Sequence, residues 1–246
     1  MSYKNLIKSS VACAALIISA TASAEQDQSL PETYGYVQLN GGPSYNMTGS
    51  GMFGNENAST TGVYGVEAGY KFDDYTRASL SLDYMPSSSF DLSASENTSG
   101  EIDGTPYSVS SSNNFKVNSW VLMFNAYYDI KNSSKVTPYF TLGAGAARTQ
   151  ASSTYNSATN INGAVDNDSS ALGEGTKHNF AYKIGAGARY DINKSFAVDL
   201  RYQFVDMGDI TTSEGSYATG GSTIVIPSQT AKLKAQQILL GIAYKF

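Results

Sequence analysis

Seven charged residues, Glu67, Arg77, Asp83, Lys183, Arg189, Asp199 and Arg201, fall on odd numbers within stretches whose even-numbered positions are apolar or aromatic. Successive side chains of an extended chain point to opposite faces, so these charges share the face turned away from the apolar one. On an enclosed face they can pair across the interior, because a buried unpaired charge is expensive, or they can line a water path and select ions. Inward glycines at 65, 69, 143, 145, 185, 187 and 241 leave room for long side chains, and pairing is the favoured reading for a narrow interior. His178 is the only histidine. A general base needs positioned partners, and nothing around His178-Asn179-Phe180 supplies them, so no enzymatic chemistry is expected. No metal-ligand spacing is visible, and the acidic residues Asp91, Glu96, Glu101, Asp103, Asp166, Asp168, Glu174, Asp209 and Glu214 lack a calcium-loop pattern. Neither a metal nor a cofactor is expected. The Gly-Ala-Gly triplets at 143–145 and 185–187 lie in strand-like segments with no helix to follow, so they do not form a phosphate cradle.

The elements that must position these charges are strands. Alternation runs through 34–45, 63–72, 76–85, 117–130, 136–147, 180–192, 196–204 and 238–246, eight segments in all. The last places Ile238, Leu240, Ile242, Tyr244 and the aromatic Phe246 on one face, the pattern of a lipid-facing terminal strand; the resemblance given below implies that these five also form the barrel-assembly signal. The connections near 73, 131 and 193 are short, whereas 46–61, 86–115, 148–178 and 208–230 are long and polar. Aromatic residues gather near both ends of the strands, as interfacial girdles do. These features predict an all-β, eight-stranded antiparallel transmembrane β-barrel, an up-and-down meander with four long extracellular loops. A soluble barrel or sandwich shows the same alternation but requires neither the girdles nor the asymmetry of the connections.

Lys4 and Lys8, an apolar run from Val11 to Ala20 and then Ala22-Ser23-Ala24 have the order of a secretory signal peptide. The expected organisation is a signal peptide over 1–24, a short periplasmic segment over 25–33 and the barrel over 34–246. The apolar run is about half the 20 residues a spanning helix needs. Cleavage after Ala24 removes Cys13, the only cysteine, and with it any disulfide or thiolate chemistry. It also removes two lysines and no acid, taking the formal net charge from −5 to −7. An acidic chain without a basic run is a poor nucleic-acid binder, and none is expected as a partner.

The terminal ILLGIAYKF, the strand Pro138-Tyr139-Phe140-Thr141-Leu142-Gly143-Ala144-Gly145 and its echo Ile184-Gly185-Ala186-Gly187-Ala188 are similar to those of the small eight-stranded outer-membrane proteins that include the OmpA transmembrane domain, OmpX, Ail and the opacity proteins. The resemblance covers about 34–246 and implies a place in the outer membrane of a Gram-negative bacterium. It also implies contact with membrane lipid and lipopolysaccharide, and insertion by the barrel-assembly machinery. For function it implies adhesion or host interaction through the extracellular loops, with host-cell or serum proteins as partners. A structural surface protein or a small porin-like channel is the alternative. Phe90, Tyr107, Tyr155, Tyr217, Ile224 and Ile226 are the loop residues expected to make such contacts, since exposed apolar groups mark partner surfaces. Two enzyme classes with barrel folds do not fit. The deacylase pattern His-x-Ser has no Ser after His178, and the omptin-type protease comes from a larger barrel. A peptidoglycan-binding domain of the OmpA kind is not expected after the eighth strand.

Overall fold

A computed structural model describes residues 33–48, 57–91, 97–102, 105–211, 215–219, 222–226 and 230–246. The leader read at 1–24 and the segment 25–32 lie outside the described residues. The chain forms β1 (Tyr34–Thr48), β2 (Asn57–Lys71), β3 (Thr76–Asp91), β4 (Asn97–Ile102), β5 (Thr105–Asp129), β6 (Val136–Ile161), β7 (Ala164–Asp191), β8 (Phe196–Thr211), β9 (Gly215–Thr219), β10 (Ser222–Ile226) and β11 (Thr230–Lys245). The sheet runs β3-β2-β1-β11-β8-β7-β6-β5-β4, and a further β3–β5 pairing closes it. The eight strands expected from the alternation thus form a closed antiparallel barrel. Strand β4 hangs from β5 outside the ring, and β9 and β10 form a separate hairpin.

Closure places the first and last strands side by side. Val37 lies opposite Tyr244 and Leu39 opposite Ile242. The seam ends in a reciprocal backbone pair, the Gly35 N–H donating to the Phe246 carbonyl and the Phe246 N–H to the Gly35 carbonyl, each at 2.9 Å. At the same end the turns are held by short polar side chains, which tolerate the tight backbone and accept its free N–H groups. The Asp73 carboxylate accepts from Tyr75 and Thr76, and the Asn193 side chain accepts from Ser195 and Phe196.

The outward positions behave as the alternation demands. Val66, Leu80, Leu122, Phe124, Phe140, Leu142, Ile184, Leu200, Ile238, Leu240, Ile242, Tyr244 and Phe246 are exposed on the outside, where lipid meets them. Phe204 departs from this pattern: on the outward parity of its strand, it is buried, flanked in register by Ile184 and Gln236.

The extracellular side differs from the expectation of four long loops. Strands β6 and β7 stay paired up to Ile161 opposite Ala164, so 148–178 is a hairpin closed by two residues. Those residues, Asn162 and Gly163, have φ of 52° and 86°. This is the left-handed pair that a two-residue hairpin turn needs, and Asn-Gly adopts it most readily. Segment 86–115 is likewise mostly strand, and part of 208–230 forms the β9–β10 hairpin. These segments are polar and rich in Ser, Gly, Asn and Thr, a composition that reads as loop. Above the membrane the outward face is polar, so the contrast between the two faces fades while pairing continues.

Candidate functional site

Two regions could carry function, the interior and the part of the sheet above the lipid belt. All seven predicted interior charges are buried. Arg77 grips Asp129 in a fork, its Nε 2.8 Å from one carboxylate oxygen and its terminal nitrogen 2.8 Å from the other. Arg201 lies 3.2 Å from Glu67, whose other oxygen accepts the Tyr36 hydroxyl at 3.0 Å and the Tyr127 hydroxyl at 2.8 Å. Arg189 sits 3.7 Å from Asp199 and donates to the Gln38 side chain at 2.7 Å, while the Tyr139 hydroxyl donates to Asp199 at 2.7 Å. Near the seam Lys245 pairs with Asp191 at 2.6 Å. The guanidiniums also stack on rings, Arg77 4.5 Å from the Tyr127 centroid and Arg189 4.5 Å from that of Tyr36, a contact that favours arginine over lysine.

Lys183 and Asp83 are buried with the others but are not drawn into these pairs. The Lys183 ammonium and one Asp83 oxygen have no hydrogen-bond partner among the described residues. Glycine provides their space, as expected. A Cβ on Gly65 would fall on the Asp83 carboxylate, and one on Gly143 would sit 2.6 Å from the Asn125 side-chain oxygen and 2.9 Å from Lys183 Cγ.

Sequence reasoning missed Asp129, Asp191 and Lys245 as members of this network, and with them the tyrosines at 36, 127 and 139. Asp129 and Asp191 stand on the inward parity of their strands, at the last position before the periplasmic turn. That parity was the available signal.

Toward the outer end the interior changes character. Val63, Met85, Val121, Met207, Leu233 and Leu239 belong to one buried apolar cluster, with Met47 buried as well. A polar strip lies beside it. The Gln203 amide donates to Gln237 at 2.6 Å, and the Gln237 amide donates to Ser44 at 3.2 Å. The interior is therefore filled twice over, by ion pairs below and by an apolar core above.

That core stands beneath a raised sheet. Strands β5, β6 and β7 contain 25, 26 and 28 residues, whereas a tilted strand crosses a bilayer in about 9–11. Outward apolar positions end at Trp120, Ala146 and Phe180, and beyond them Lys116, Arg148, Gln150 and His178 are exposed. From Arg148 to Ile161, β6 continues for roughly 45 Å along its axis at about 3.3 Å per residue. At its tip Ile161 and Val165 are 51% and 59% exposed on either side of the turn. Beside the turn a shallow cleft of about 330 Å³ is lined by Pro106, Tyr107, Ser108, Asn160, Asn162 and Gly163.

By backbone register, the predicted contact residues fall on several different strand pairs. Tyr107 lies opposite Ile161, Phe90 opposite Phe115, and Tyr155 between Asn113 and Ser170. Tyr217 and Ile224 face each other across the β9–β10 hairpin, and Ile226 lies opposite Gly215. Ile161 and Val165, at the tip, were not foreseen; the Asn-Gly dipeptide between their strands was the signal for them. His178 is exposed opposite Arg148. Among the described residues no three His, Cys, Asp or Glu side chains are grouped to hold a metal.

Residues 10–246 match the family model described as the outer membrane protein beta-barrel domain. The chain belongs to this family. The barrel is 28% identical over 189 residues to outer membrane protein PagN of Salmonella typhimurium, across 76% of this chain and 74% of PagN. It is also 28% identical over 145 residues to an uncharacterized protein of Brucella abortus, across 58% of this chain and half of that one. Among solved structures it is similar to Neisserial surface protein A, with 15% identity and a TM-score of 0.44 over 86% of this chain and 97% of that one. The protein is an outer-membrane barrel, and its outward apolar belt lies in contact with membrane lipid.

Proposed function

We propose that this barrel is a surface contact protein, an adhesin that presents the outer halves of β5, β6 and β7 to host-cell or serum macromolecules. The carrying observation is the β6–β7 hairpin, which stays paired far beyond the lipid belt and ends in exposed Ile161 and Val165. Exposed apolar side chains on a rigid support are suited to partner contact, since little conformational freedom is lost on binding. The filled interior argues against a channel role. With four buried ion pairs below and an apolar core above, a continuous water path requires displaced side chains. The same reading has residues 1–24 removed on export, which the N-terminal mass of the exported protein reports, and the strand ending at Phe246 recognised by the assembly machinery.

The test joins Gln150 to Thr176, register partners, through a new Asn-Gly turn, which shortens the hairpin while leaving the barrel strands whole. Saturable binding of the native barrel to host cells, matrix or serum proteins, lost on shortening, is the expected outcome. Equal binding by both proteins, or none by either, leaves a structural surface protein or a small channel, and a conductance step in a planar bilayer separates those two.

A further inference from the structure

The dipeptide Asn-Gly occurs twice in the chain, at 40–41 and at 162–163. It is open to an intramolecular reaction in which the glycine nitrogen attacks the asparagine side-chain carbonyl, because glycine brings that nitrogen close with no Cβ in the way. The fold gives the two copies opposite surroundings. Asn40 lies opposite Gly65 and Gly241, and Gly41 opposite Tyr64 and Leu240, so β2 and β11 hold the first pair from both sides. Asn40 is also buried, its side-chain oxygen accepting the Gln38 amide at 2.6 Å. Asn162 and Gly163 are both exposed at the end of the β6–β7 hairpin. A Cβ built on Gly163 meets no atom within 4 Å, so nothing there crowds an approach.

Two hydrogen bonds hold the exposed pair in its turn. The Asn162 N–H donates to the Pro106 carbonyl at 3.0 Å, and the Gly163 N–H donates to the Asn160 side-chain oxygen at 3.0 Å. The second bond engages the nitrogen that has to attack, so the reaction waits until the tip opens. Opening costs least at such ends, where few contacts resist it. The charges closest in register are acidic, Glu101 opposite Pro106 on β4 and Asp166 opposite Thr159 on β7, both exposed.

We propose that Asn162 is a site of spontaneous deamidation, restrained by the side chain of Asn160. In the opened tip the Gly163 nitrogen bonds to Cγ of Asn162, the C–N bond of the side-chain amide breaks, and its nitrogen leaves as ammonia with the proton that Gly163 gives up. Water then reopens the five-membered imide, and no oxidant or reductant takes part. Attack of water at Cγ yields aspartate, whereas attack at the main-chain carbonyl routes the backbone through the former side chain as isoaspartate. Asp-Gly adopts the same left-handed turn, so the first product keeps the hairpin and adds a negative charge near Glu101 and Asp166. The second inserts a methylene into the backbone, and the two-residue turn no longer matches its strands. This chemistry belongs to the turn itself and does not depend on what the tip binds.

Peptide mapping by mass spectrometry tests this on the full protein, purified from outer membranes in mild detergent and held at neutral pH and body temperature. In the folded protein Asn162 is expected to convert at least roughly tenfold faster than Asn40. In urea, with the ladders gone, the two sites should convert at similar rates, which makes Asn40 the internal control for the chemistry. N160A frees the Gly163 N–H and should speed conversion of Asn162 about fivefold, the factor set by one ordinary hydrogen bond. N160D keeps the acceptor and should return the rate to that of the native protein, and heat-modifiable gel migration reports whether each variant is folded. Equal rates at Asn40 and Asn162 in the folded protein overturn the proposal, as does an Asn162 that stays intact when folded and converts only in urea. An unchanged rate in folded N160A removes the restraint assigned to Asn160.

Discussion

Glu67 receives three donors inside the barrel, the hydroxyls of Tyr36 and Tyr127 and the guanidinium of Arg201. Truncation to alanine strands a buried cation, which costs far more than the pair itself contributes. Glu67→Ala is expected to lower stability by about 3–5 kcal/mol, read from urea unfolding in vesicles through the fluorescence of Trp120, the only tryptophan. The double variant E67A/R201M should recover most of that loss, because the orphaned charge is gone. In the periplasmic turn the Asp73 carboxyl is held below its ordinary range by the Tyr75 backbone N–H and then by Thr76. A depressed folded value means that its stabilisation is complete above the ordinary carboxylate range and is lost as pH falls through the lower, folded value. Asp73→Asn should flatten the acid limb of the unfolding midpoint against pH while changing little at neutral pH. At this scale the sequence was legible by parity alone. The seven inward charges were visible because odd positions alternated with lipid-facing ones. Their partners Asp129, Asp191 and Lys245 shared that parity, but nothing local says which strand each will face across the interior.

The β6–β7 hairpin is held at its tip by two left-handed residues, Asn162 and Gly163. A Cβ at Gly163 meets no atom within 4 Å, so Gly163→Ala is penalised by backbone conformation alone. The expected cost is about 1–2 kcal/mol, confined to the hairpin. Amide exchange should accelerate between 153 and 171 while the barrel strands and the unfolding midpoint remain unchanged. Met207 anchors the outer core, and Met207→Ala should lower stability by about 2–5 kcal/mol and loosen the outer ends of β5 to β8 in the same exchange measurement. The existence of eight strands could be read from alternation, since lipid outside and packing inside impose opposite chemistry on neighbouring residues. Their length could not. From Arg148 to Ile161 one face meets water and the other includes Ala151 and Thr149, so composition resembles a loop although pairing persists. Asn-Gly at 162–163 was the local clue that the segment turns once, tightly.

The whole molecule is a barrel whose interior resembles the core of a soluble protein more than the lumen of a pore. A planar bilayer holding the refolded chain should therefore show no unitary conductance under moderate voltage, whereas a channel of this fold gives discrete steps. The seam between β1 and β11 has a different implication. Gly35 and Phe246 exchange backbone bonds, so two residues at opposite ends of the described chain are direct neighbours. A partial sheet made by adding strands one at a time in chain order exposes two unpaired edges until the ring closes. One edge of β1 has β2 as its partner, but the other edge stays open until the residues near 246 arrive. Any sheet formed before that point is open, and the hydrogen bonds between β1 and β11 are the ones that complete the circle.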